Sequence, residues 1–80
     1  MNYKAFYAEV ADWILQVNQL AVSHGMESHE FWSWVSRSIG EMANKYENNQ
    51  LVTRQLTMLF IWLDDIYADM QTKKQHQSQP

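Results

Sequence analysis

Cysteine is absent from this 80-residue chain. That excludes a disulfide framework and any thiolate zinc site, and leaves the redox compartment open. Long apolar runs are absent as well. The longest, Met58 to Leu63, is far short of the ~20 residues needed to span a bilayer, so no membrane association is expected. Basic residues are few, with six Lys and Arg against nine Asp and Glu and a formal charge of −3. Such a balance argues against non-specific nucleic-acid binding, which needs clustered cations. There is no Gly-rich phosphate loop, nucleotide fingerprint or Ser-His-Asp arrangement. Glu9 and Asp12 interrupt what would be the apolar region of a secretory signal, so the expected location is the cytoplasm.

What the chain does have is aromatic bulk. A domain of this length buries only ~60–65% of its unfolded surface. Four Trp, four Tyr and three Phe compensate, because each aromatic ring removes a large area from water.

The stretch Leu51 to Met70 organises the rest. It lacks Gly and Pro, and Val52, Leu56, Leu59, Leu63, Ile66 and Met70 recur at spacings of 4, 3, 4, 3 and 4, one face of a helix. Upstream, Asn2 is placed to cap a first helix whose inner line is Tyr3, Phe6, Val10, Trp13, Ile14, Val17 and Ala21. His24-Gly25 ends it, since Gly takes the left-handed conformation common at helix C-termini. Ser28 caps a second helix with Glu30 in its first turn and the stripe Trp32, Val35, Ile39, Met42 and Tyr46. Gly40 lies inside that helix, and we expect a bulky neighbour, Trp13 or Phe60, to pack close to its backbone. Glu47-Asn48-Asn49-Gln50 breaks the helix, and Asn49 can cap the next. Short connections make consecutive helices antiparallel. The expected fold is all-α, an up-down-up three-helix bundle with helices at about 3–23, 29–46 and 50–71. Residues 1–71 then form one domain, and 72–80, polar and ending in Pro, a disordered tail.

Several apolar residues fall outside these stripes. On the third helix Leu51, Met58 and Trp62 lie to one side and Ile61 nearly opposite. On the first, Ala8, Ala11, Leu15 and Val22 form a line on the far side. On the second, Trp34 points away from Ile39. Single exposed hydrophobes are ordinary, but contiguous apolar patches on small proteins mark interfaces. Leu15, Val22, Trp34, Leu51, Met58, Ile61 and Trp62 are therefore the candidate partner-binding residues.

Two chemical readings compete with this one. Asp65 and Asp69 share a helix face next to Asp64 and have the donor type for Mg²⁺. Paired acidic motifs on neighbouring helices would then be needed, and only Glu9 with Asp12, or Glu41 alone, offers them. A solvated acidic end, with Asp69 pairing Lys73, is the simpler account. His24, Glu27, His29 and Glu30 match no rigid zinc spacing and serve as turn and capping residues. Neither metal nor cofactor is expected, and no enzymatic activity. Helix two, the ENNQ turn and helix three have the order of a helix-turn-helix, with Gln50, Thr53, Arg54 and Thr57 polar enough to read base edges. Only Arg37 and Lys45 stand by to meet phosphate, and the acidic cluster follows.

The run Asn44-Lys45-Tyr46-Glu47-Asn48, then Leu51-Val52, Gln55, Met58-Leu59 and Trp62-Leu63, resembles small uncharacterised proteins encoded by phages and prophages of Gram-positive bacteria. The likeness covers about the C-terminal half and consists of core and turn residues. It implies a cytoplasmic accessory protein that binds a host or phage protein, and it carries no functional residues across. The resulting expectation is a non-enzymatic protein-interaction module whose partner is a host or phage protein or a second copy in a homodimer. A small DNA-binding regulator and, further off, a Mg-dependent enzyme subunit are the alternatives. The charge balance predicts no duplex DNA binding at physiological salt. A gel shift at micromolar protein that vanishes in Arg54→Ala would reverse that expectation.

Overall fold

The computed structural model describes residues 1–77, of which 74–77 are described by backbone alone. It has three α-helices: α1 (Tyr3–His24), α2 (His29–Lys45) and α3 (Gln50–Gln77). Among the described residues there is no strand. The all-α, three-helix expectation therefore holds, and the chain divides into two units, Met1–Met42 and Ala43–Pro80.

The first unit is a helical hairpin. The Asn2 side chain accepts a hydrogen bond from the Ala5 N–H at 3.0 Å, satisfying one of the free donors at the start of α1. At the other end Gly25 sits at φ 82°, and its N–H donates to the Ala21 carbonyl at 3.0 Å. That backbone geometry is strained for any residue with a Cβ, which is why the helix stops at a glycine. Ser28 then serves two elements with one hydroxyl. It donates to the Gly25 carbonyl at 2.9 Å and accepts from the Phe31 N–H at 3.2 Å, so the turn is closed and α2 is capped by the same atom.

So short a connection sends α2 back along α1. Within this unit Phe6, Trp13, Val17, Met26, Phe31 and Val35 are buried. Trp13 meets α2 twice: its indole N–H donates to Ser38 Oγ at 2.7 Å, and its ring stacks on Trp34 at 5.7 Å between centroids. Two readings of α2 need correction here. Phe31, outside the expected stripe, is fully buried. Trp34, expected to point outward, is half-buried against Trp13. Positions 31, 34, 35 and 38 lie on one side of a helix, and that side faces α1. Gly40 is the third correction. No atom lies within 4 Å of where its Cβ would be, so no bulky neighbour demands a glycine there.

The second unit opens with the end of α2. Glu47 and Asn48 both take left-handed backbone, φ 56° and 55°. The Asn48 N–H donates to the Ala43 carbonyl at 2.8 Å and the Glu47 N–H to the Asn44 carbonyl at 3.0 Å, the paired bonds of a Schellman ending. Asn49 Oδ1 accepts from the Leu51 N–H at 2.9 Å and so caps α3. Along α3, Val52, Leu56, Leu59 and Leu63 are buried, Ile66 is half-buried and Met70 exposed. The expected stripe is real but ends before Met70. The helix itself runs on to Gln77, past the expected end near residue 71. Gln and Lys are good helix formers, and the Asp69–Lys73 pair at 3.2 Å, one turn apart, supports the extension. The expected tail thus falls partly on helix, and its last residues, 78–80, lie outside the described residues.

Two substitutions separate the core from the tolerant glycine. Leu59→Ala is expected to lower stability by ~2–5 kcal/mol through lost contacts and a residual cavity. Gly40→Ala is expected to raise it by about 0.5–1 kcal/mol, because the site is open and Ala is the better helix former. Thermal melts followed by circular dichroism check both, and a lower Tm for Gly40→Ala would contradict the open site.

Candidate interaction surface

α1 fixes the first group of outward apolar residues. With Phe6, Trp13 and Val17 turned inward, a helix of 3.6 residues per turn must present Leu15 and Val22 on the other side. Leu15 is 61% exposed and Val22 88%, and Ala8 and Ala11 on the same line are exposed too. These residues stand where the periodicity puts them.

α3 fixes the second group. Its buried stripe leaves Met58 54% exposed, Ile61 52% and Trp62 38%. Leu51 is half-buried, and its N–H is engaged by the Asn49 cap. Phe60 is also exposed and belongs among the outward apolar residues. Its position roughly 80° from the buried stripe was the available signal. Trp34 leaves the group, because its ring is stacked within the hairpin. Of the seven candidate residues, Leu15 and Val22 lie together on α1, and Leu51, Met58, Ile61 and Trp62 lie together on α3.

Chemistry elsewhere is sparse. A shallow open depression on α2 is lined by His29, Trp32, Ser33, Ser36 and Arg37. Ser33 Oγ lies 3.2 Å from His29 Nε2, but no carboxylate orients the ring among the described residues, as an activated hydroxyl would require. The Trp32 indole N–H is committed to the Met26 carbonyl at 2.6 Å. Asp64, Asp65 and Asp69 are solvent-exposed. Among the described residues no three His, Cys, Asp or Glu side chains group so as to hold a metal ion. Among the described residues no helix is long and apolar enough to cross a membrane. Arg54 is the single cation among the polar residues that could read bases on α3's first half, and it stands exposed beside Thr53 and Thr57, whose hydroxyls bond back to the Asn49 and Thr53 carbonyls.

Comparison with protein-family models, curated proteins and solved structures gives no match for this chain.

The exposure pattern sorts the aromatic and aliphatic side chains by role. Leu15→Glu and Met58→Glu are expected to keep full helicity and to change stability by no more than about 0.5 kcal/mol, as surface substitutions do. Trp34→Ala is expected to cost at least about 1 kcal/mol, since it removes both buried area and an aromatic stack. Chemical denaturation of the three variants decides. A large loss for Met58→Glu would place that residue in the core.

Proposed function

We propose that this protein is a non-enzymatic helical interaction module that works by presenting apolar helix faces to another protein. The observation that carries the reading is on α3. Met58, Ile61 and Trp62 are all exposed on one side of a helix that already buries a full stripe of its own. Isolated exposed hydrophobes are normal on any protein, but large apolar side chains grouped on a small chain mark a recognition surface, and Trp and Met are among the residues enriched there. The scarcity of Lys and Arg favours a protein partner over nucleic acid. The resemblance of residues 44–63 to phage and prophage proteins supports seeking the partner among host or phage proteins, or in a second copy of this chain, in the cytoplasm of an infected or lysogenic cell.

Affinity capture from lysates of phage-infected and uninfected Gram-positive cells, followed by calorimetry with the purified captured protein, tests this. Met58→Glu is expected to reduce binding at least tenfold, about 1.4 kcal/mol, with the fold intact. Equal capture by wild type and by both Met58→Glu and Leu15→Glu would refute the reading.

A further inference from the structure

The far side of α3 carries a second periodic line besides the buried one. Leu51, Arg54, Met58, Ile61, Asp65 and Ala68 advance by 3, 4, 3, 4 and 3 residues, the spacing of a two-helix seam. The line lies about 160° around the axis from the buried Val52–Leu63 stripe. Leu51 is half-buried and the other five are exposed. Neither Arg54 nor Asp65 has an ion-pair partner within the chain among the described residues.

The charges make the seam self-complementary in one direction only. If a second α3 lies antiparallel across it, Arg54 faces Asp65 of the second copy, and Asp65 faces Arg54 of the second copy. Met58 and Ile61 of each copy meet at the centre, and Leu51 meets Ala68 at each end. Each contact joins residues whose numbers add to the same total, as a two-fold axis through the middle of the helix requires. A parallel pairing would set arginine against arginine and aspartate against aspartate, and like charges in register are strongly disfavoured. Trp62, one turn on from Met58, stands exposed at the edge of this line.

From this complementarity we infer that the partner on α3 is a second copy of this chain, docked antiparallel about a two-fold axis with Arg54–Asp65 pairs flanking a Met58–Ile61 centre. The inference rests on the interaction-module reading and names its partner. A closed two-fold is also the commonest form of self-association. The seam spans ~26 Å of helix and has only two fully apolar central layers, so the dimer is weak and concentration-dependent.

Sedimentation equilibrium of the full chain from about 10 µM to about 1 mM reads the affinity. The expected result is a dimer whose dissociation constant rises at least about tenfold in Arg54→Asp and in Asp65→Arg. The Arg54→Asp/Asp65→Arg double variant, which restores opposite charges across the axis, should return to within about threefold of wild type. Orientation has an independent readout because the chain has no native cysteine. Oxidising a mixture of Leu51→Cys and Ala68→Cys chains should give the mixed disulfide in preference to either self-link, whether or not a charge variant folds. A wild type monomeric throughout, a dimer indifferent to the reversals, a double variant that fails to recover, or dominant Leu51→Cys self-links would each overturn the inference. A monomer whose capture of a purified partner is still abolished by Met58→Glu overturns the self-pairing and leaves the interaction module standing. A monomer with no Met58-dependent capture overturns both.

Discussion

Trp13 holds the hairpin together by two different forces on two faces of one side chain. The indole is almost wholly removed from water, and burying an aromatic of that size stabilises only if its N–H is not left without an acceptor. Ser38 supplies the acceptor, and its own hydroxyl proton goes on to the Val35 carbonyl, so the polar chain is closed inside an apolar contact. The stack with Trp34 covers the ring from α2 one turn earlier. Once Trp13 is placed, the rotation of α2 follows, and with it the burial of Phe31 and Val35 and the outward direction of His29, Ser33, Ser36 and Arg37. Among the described residues no buried side-chain polar atom lacks a partner, as a core with so little spare burial requires.

The same logic explains what was legible beforehand. Helix starts were readable because Asn2, Ser28 and Asn49 are short polar residues whose side chains can bond the free backbone donors of a first turn. The α3 stripe was readable because Val52, Leu56, Leu59 and Leu63 recur at 4, 3 and 4 residues, a regular period that the other apolar residues of the helix do not share with them. α2 was not, because Phe31, Trp32 and Trp34 crowd its first turns and two stripes fit equally well, both passing through Val35 and Met42. Only the partner's geometry, a tryptophan on α1 reaching for a hydroxyl, chooses between them. Gly40 carried no information of its own, since a helical glycine marks either close approach or simple tolerance. The continuation of α3 was hidden by composition: a segment too polar to bury can still be helical by backbone propensity.

The candidate surface was legible for a simpler reason. Residues opposite a strongly apolar stripe are exposed by geometry, and Leu15, Val22, Met58, Ile61 and Trp62 needed no tertiary information to be placed. Trp34 did need it. The distinction matters for any small helical protein rich in aromatics, because an off-stripe tryptophan on a helix next to another tryptophan is as good a candidate for stacking as for recognition. By residue type alone Arg54 suits base reading and Asp65 metal binding. Once the exposed line of α3 is traced, the two charges stand at mirror positions about its centre, which neither earlier role explains.

The two-tryptophan stack has a spectroscopic consequence. Parallel indoles at this separation, inclined by only 19°, couple their electronic transitions and contribute an ellipticity band that overlaps the helical signal. Removing Trp34 therefore changes the dichroism spectrum even if every helical hydrogen bond survives. Trp13 is shielded from solvent while Trp62 emits from the surface. The four tryptophans thus report from different depths, with Trp13 sensitive to the hairpin and Trp62 to whatever covers α3.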